Sequence, residues 1–133
     1  MFLNLLNEKE GKNFLELAKV AMMVNGIAKE SEMVVFRTFR TELGLPDYEL
    51  KGKELDPIIT EFQSSTKRAK KVVMLELGGM LDADEEFDDN EKAWFNKVGS
   101  QLGFRESELK KMMRWVFDFN DLVGEAITFI NNR

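Results

Sequence analysis

The sequence predicts an all-α domain spanning residues 1–133, a bundle of about seven helices built from two repeated helix pairs. Three observations predict it. Apolar residues recur at the three-and-four spacing of a helix in seven separate stretches. No stretch alternates apolar and polar residues long enough for a half-buried strand, and proline occurs only at Pro46 and Pro57. Two stretches end in leucine, glycine and a further apolar residue, the pattern of a helix stop.

The elements follow in order. Phe14, Leu17, Ala18 and Ala21 make the first stripe, and Asn7 with Glu10 is spaced as a capping pair ahead of it. Val35, Phe36, Phe39 and Leu43 make the second, which stops at Gly44. Asp56 followed by Pro57 reads as a cap and first helical residue, opening a short helix to about Gln63. Ser65 is placed to cap the next, whose stripe is Ala69, Val73, Leu77 and Met80. Asp88 and Glu91 form a capping pair for a helix carrying Trp94, Phe95, Val98 and Leu102, stopped by Gly103. Leu109, Met112, Met113, Val116 and Phe117 form a sixth stripe. Leu122, Val123, Ala126, Ile127 and Ile130 form a seventh. Residues 47–55 fit either one helical turn or an irregular connection. Gly78-Gly79 interrupts a stripe, which points to close approach of another helix.

The two glycine-stopped helices match each other at an offset of 59 residues. Asn25 falls on Asp84, Glu32 on Glu91, Phe36 on Phe95, Leu43 on Leu102 and Gly44 on Gly103. Each copy is an apolar helix, a polar turn, a helix with an acidic first turn, and a glycine stop. A helix pair of this kind cannot bury its apolar face alone, so two copies are expected to close on each other.

Composition narrows the chemistry. Lys and Arg number 19 against 24 Asp and Glu, a net charge of −5, with no Cys and no His. Disulfides, thiolate nucleophiles, imidazole bases and Cys or His metal ligands are therefore absent, so a metal site would use oxygen donors and a hard cation. Hydrophobic residues at 44% and charged residues at 32% describe a globular chain. The opening Met1 to Glu8 lacks the basic start and cleavage site of a signal peptide. No apolar run approaches the roughly 20 residues of a membrane helix. A cytoplasmic location, without nucleic-acid binding or membrane insertion, is the simplest expectation.

The acidity is local. Residues 1–71 hold 12 basic and 11 acidic residues, and residues 72–133 hold 7 and 13. Asp82, Asp84, Glu85, Glu86, Asp88, Asp89 and Glu91 crowd one turn with no cation among them. Acids at a helix start complement its dipole, and that alone accounts for Asp88 and Glu91. A bound Ca²⁺, Mn²⁺ or Mg²⁺ would also relieve the crowding. If the two repeats pack about a pseudo-twofold axis, the ligands would be Asp84, Asp88 and Glu91, joined by Asn25 and Glu32. An EF-hand does not fit, because counting from Asp82 puts Phe87 and Ala93 at its glycine and bidentate glutamate positions. The run Lys67-Arg68-Ala69-Lys70-Lys71 reads as the solvated face around Ala69 and Val73.

The two turns resemble the motif of the tellurite-resistance TerB-like domains. In that family an apolar helix runs into Ala-Asp-Gly-x-Ile or Tyr, then three residues and a Glu, then a helix ending in Leu-Gly-Ile or Leu. Here the second copy reads Ala83-Asp84-Glu85-Glu86-Phe87 through Glu91 to Leu102-Gly103-Phe104. The first reads Val24-Asn25-Gly26-Ile27-Ala28 through Glu32 to Leu43-Gly44-Leu45. The opening Phe2-Leu3-Asn4-Leu5-Leu6 also looks like the start of many members. The resemblance implies a bundle of about seven helices, an association with bacterial stress or tellurite-resistance systems, and a suspected metal site at the motif acids. The chain departs from the motif at Asn25, where Asp is expected, at Ala28, where a larger apolar residue is expected, and at Glu85, where Gly is expected.

No glycine-rich phosphate loop or nucleophile elbow is present. The expectation is a non-enzymatic TerB-like domain that works in stress-linked complexes and binds a protein partner, with the acidic turn as a candidate oxygen-ligand cation site and no cofactor otherwise expected. A second copy is one candidate partner, and the stripe Met113, Phe117, Ile127 and Ile130 is a candidate dimer face. A metal-free interaction bundle and a metal-dependent hydrolase are the alternatives.

Overall fold

Six α-helices and one 3-10 turn, with no strand, make up the described residues of the computed structural model, which are 1–84 and 86–132. The 3-10 turn is Leu3–Leu5. The helices are α1 (Glu8–Met22), α2 (Glu30–Leu43), α3 (Leu55–Gln63), α4 (Lys67–Leu81), α5 (Asp89–Gln101) and α6 (Glu106–Asn131).

Local chemistry sets most of these ends. Asn7 Oδ1 accepts from the Glu10 N–H at 2.8 Å, and Glu10 Oε1 accepts from the Asn7 N–H at 2.9 Å. The start of α5 repeats this pattern. Asp88 Oδ1 accepts from the Glu91 N–H at 2.8 Å, and Glu91 Oε1 accepts from the Asp88 N–H at 3.2 Å. At the end of α2, Gly44 takes φ 68° and the Leu45 N–H reaches Arg40 O at 2.9 Å. After α5, Gly103 takes φ 94° and the Phe104 N–H reaches Gly99 O at 2.9 Å. Both stops are the left-handed glycine cap.

Three expectations change. The described residues form six α-helices, because the sixth and seventh stripes are one 26-residue helix, α6. Residues 118–121, between the stripes, hold no glycine or proline to stop it. The cap of α4 is Thr66, whose hydroxyl accepts from the Ala69 N–H at 3.1 Å, and not Ser65. Helix α3 starts at Leu55 after Glu54, so Pro57 is its third residue and Asp56 is no cap. Proline is still tolerated there, since first-turn amides have no intrahelical acceptor.

Helices α1 and α4 form the centre. On α1, Phe14, Leu15, Leu17 and Ala18 are fully buried, and on α4 so are Val73, Met74, Leu77, Met80 and Leu81. Apolar residues on several sides of one helix require neighbours on several sides. Phe36 and Phe39 of α2, Ile58 and Phe62 of α3, Phe95 and Val98 of α5, and Leu109 and Val116 of α6 supply them. Phe14 meets Phe39 edge-on at 5.0 Å between ring centroids. Truncating a ring buried like Phe14, Phe62 or Phe95 to alanine costs about 3–5 kcal/mol.

Helices α4 and α6 run parallel. Lys67 at the start of α4 lies 4.2 Å over the Phe104 ring beside the start of α6. At the far end, Asn120 Nδ2 donates to Asp82 Oδ2 at 2.8 Å. Between them Gly78 faces α6 so closely that a Cβ there would stand 2.6 Å from Met113 Sδ. Gly79 has open space, so of the glycine pair only Gly78 serves the close approach.

The connection between α2 and α3 is irregular, and Glu16 of α1 holds it. Glu16 accepts from the Tyr48 hydroxyl at 2.7 Å, the Lys51 N–H at 2.8 Å and the Lys53 N–H at 3.2 Å. These three donors outweigh burial and hold the Glu16 carboxyl below its ordinary range. Burial and the neighbouring Glu16 push the Tyr48 hydroxyl up to about 12.

Candidate functional site

The polar turn after α1 and the acidic turn after α4 meet. Both turns are fixed by short-range rules: each follows a helix that ends in a buried apolar residue, and each precedes a helix with a glutamate at its third position. The registers agree with the 59-residue offset, since α1 and α4 start and end 59 apart and α2 and α5 start 59 apart.

The five expected residues all lie at this junction. Asn25 Nδ2 donates to Asp88 Oδ2 at 2.7 Å, and Asn90 Nδ2 donates to Asn25 Oδ1 at 3.3 Å. Asp84 is half-buried and accepts from the Glu86 N–H at 3.0 Å through Oδ1. Glu32 and Glu91 stand at the third position of α2 and α5 and are each only 2% exposed. Glu85 lies outside the described residues.

One participant was not expected. Lys29, the residue before α2, places Nζ 2.9 Å from Asp84 Oδ2 and 3.6 Å from Glu91 Oε1. The clue was present in the sequence, because the offset that lays Glu32 on Glu91 also lays Lys29 on Asp88. A lysine standing where the other copy has its capping acid can point its ammonium across the junction.

The charges respond to this arrangement. Burial pushes the Glu32 carboxyl up to about 7, against the pull of the Lys29 N–H and with the help of the Glu91 charge. Burial also raises Glu91, against the Asp88 N–H and Lys29. Asp84 is held below the usual carboxylate range, since the Lys29 ammonium and the Glu86 N–H overcome its burial. Lys29 is raised by its bond to Asp84. The Glu91 N–H, followed by Asn25, lowers Asp88.

Glu32 Oε1 accepts from the Lys29 N–H at 3.3 Å, whereas Glu32 Oε2 is buried with no hydrogen-bond partner. A buried carboxylate oxygen without a donor is costly. Among the described residues, no three Asp or Glu are grouped tightly enough to hold a metal ion as they stand. The donors suit a hard cation in kind, but the Lys29 ammonium already supplies a positive charge at their centre.

The acidic turn is fastened to the core by Phe87. Its ring meets Phe95 of α5 at 6.1 Å and Phe117 of α6 at 6.0 Å, both edge-on. The basic run of α4 is elsewhere: Lys67, Arg68 and Lys71 are exposed around buried Ala69 and Val73. No helix of the described residues is long and apolar enough to cross a membrane. Comparison with protein-family models, with curated proteins and with solved structures finds no match.

Proposed function

We propose that the chain is a TerB-like, non-enzymatic helical domain that acts in bacterial stress-linked complexes in the cytoplasm, with the junction of its two turns as the functional centre. The observation that carries this reading is the convergence of Asn25 and Glu32 with Asp84, Asp88 and Glu91, residues of two turns 59 apart in the sequence. The equal spacing of α1 with α4, and of α2 with α5, supports descent of both turns from one helix pair.

The centre takes a divalent cation, Ca²⁺, Mn²⁺ or Mg²⁺, when the Lys29 ammonium leaves it. Glu32, Asp84, Asp88 and Glu91 would hold the ion, with Asn25 giving a carbonyl oxygen. Tellurite chemistry is not part of the reading, because a fold does not fix the role of each member.

Calorimetric and thermal-shift titrations with each cation test the reading. A ligand bound only to the folded chain raises its melting temperature. The native chain should gain stability at millimolar metal, and Asp84→Asn with Glu91→Gln should abolish the gain. No heat and no shift with any of the three cations would reduce the chain to a metal-free interaction bundle. Metal-dependent turnover of phosphate esters would instead make it a hydrolase.

A further inference from the structure

The start of α4 gathers cations that the fold does not neutralise. Lys67 and Arg68 open the helix, where its dipole disfavours positive charge. Every other α-helix of the described residues has an acid in its first turn, and α4 has none. Among the described residues, neither Arg68 nor Lys71 has an ion-pair partner. Lys67 is partly engaged, lying over the Phe104 ring and donating to Gly103 O at 3.4 Å.

These cations edge an apolar cleft. Phe2 and Leu5 from the opening segment face Val72 and Leu75 of α4 across about 290 Å³, with Lys67, Arg68 and Lys71 along the cleft and no acid lining it. Arg68, Lys71, Val72 and Leu75 stand at the three-and-four spacing that keeps them on one face of α4. Val72 is buried at the cleft, whereas Leu5 is 43% exposed. We propose that this cleft docks an acidic segment of a protein partner, with an apolar side chain between Leu5 and Leu75 and carboxylates on Arg68 and Lys71. The inference is independent of the cation reading, whose site lies at the other end of α4.

Charge and shape select this occupant. Free cations call for an anion, and an arginine fork matches a carboxylate. The volume falls at the lower edge of small-molecule sites, about 300–1,000 Å³, which fits a peptide's side-chain anchor and not a whole cofactor. A long polyanion is disfavoured because the chain as a whole carries −5. The 15 residues of α4 set the acidic turn about 22 Å from this cleft, beyond twice the ~8 Å over which salt screens charge. A short acidic segment therefore meets the local cations alone, whereas nucleic acid or a charged bilayer also meets the acids. Three cations also fall short of the roughly four to eight that hold a bilayer.

Selection from a displayed library of random peptides on the full chain tests this. Enriched peptides should carry Asp or Glu beside a large apolar residue. One of them, labelled with fluorescein, should bind with a Kd of about 10–100 µM, the range of so small a surface, and bind more weakly as salt rises. Arg68→Glu with Lys71→Glu should raise that Kd about tenfold or more, since two charge-assisted contacts go. Far-UV circular dichroism should stay unchanged, because both side chains are exposed. Arg68→Gln with Lys71→Gln should weaken binding in the same direction, and Leu5→Ser should weaken it while keeping its salt dependence. Asp84→Asn with Glu91→Gln, which removes the cation site, should leave peptide binding unchanged. No enrichment, enrichment of peptides without acids, or a Kd that charge reversal leaves unchanged overturns the inference. A native chain that binds phosphatidylserine vesicles or duplex DNA in place of peptides overturns it in favour of a polyanion surface.

Discussion

Lys29 Nζ lies 2.9 Å from Asp84 Oδ2, so the first turn supplies the counter-charge for the second. The same ammonium stands 3.6 Å from the buried Glu91. A charge left without its partner in such a place is costly, although the half-exposure of Lys29 and Asp84 lets water share the load.

Replacing Lys29 by Met should therefore destabilise the chain by about 1–3 kcal/mol in chelator. Millimolar Ca²⁺, Mn²⁺ or Mg²⁺ should restore part of that loss and bind the variant more tightly than the native chain. Thermal melts with and without metal measure both effects. An unchanged melting temperature in chelator would contradict the central role of Lys29.

Glu32 predicts a pH slope. Its folded carboxyl titrates at about 7 against an ordinary 4.5. The folded chain holds an extra proton between these values, so this contribution is full below about pH 4.5 and is lost as pH rises through about 7. In chelator, Glu32→Gln should be more stable than the native chain at pH 8, by up to about 3 kcal/mol, and should flatten the slope. Urea unfolding at pH 5 and pH 8 gives the comparison, and equal slopes in the two proteins would refute it.

Glu16 behaves with the opposite sign. Its folded carboxyl is lowered, so its stabilisation is present above the ordinary carboxylate range and lost as pH falls through the folded value. Glu16→Ala leaves the Lys51 and Lys53 amides and the Tyr48 hydroxyl without their acceptor, at a cost of about 2–4 kcal/mol. Hydrogen exchange should accelerate at the amides of Lys51 and Lys53 while those of α4 stay protected. Uniform acceleration would show that Glu16 serves the whole fold and not this connection.

Two glycines should respond in opposite directions. A Cβ on Gly99 would lie 2.4 Å from Leu109 Cδ2 and 2.6 Å from Cδ1, whereas one on Gly79 meets open space. Gly99→Ala should cost about 1–3 kcal/mol through overpacking. Gly79→Ala should gain up to about 1 kcal/mol from helix propensity. Denaturant midpoints settle both signs.

Much of this was legible in the sequence because it rests on short-range rules. The capping pairs Asn7/Glu10 and Asp88/Glu91 and the stops at Gly44 and Gly103 involve residues only a few positions apart. The offset of 59 pairs Asn25 with Asp84 and Glu32 with Glu91 in the sequence, and the two turns that carry them meet in the fold. What failed was also physical. The Leu109 and Leu122 stripes look like two helices because periodicity does not show whether the chain breaks between them. Exposure at Leu122 to Ile130 is invisible for a related reason, since an apolar stripe carries no mark of where its neighbour ends. The part played by Lys29 depends on where a long flexible side chain points, which spacing does not state.

The Asn25–Asp88 hydrogen bond joins residues 63 apart in the chain. Closing a loop of that length costs about 4 kcal/mol of chain entropy before any contact repays it. Helices α1 and α4 stand 59 residues apart, so their packing and the junction share one loop closure of this size. The acidic turn is thus held by long-range closure of the chain and not by its own local order, and its geometry depends on the core beneath it.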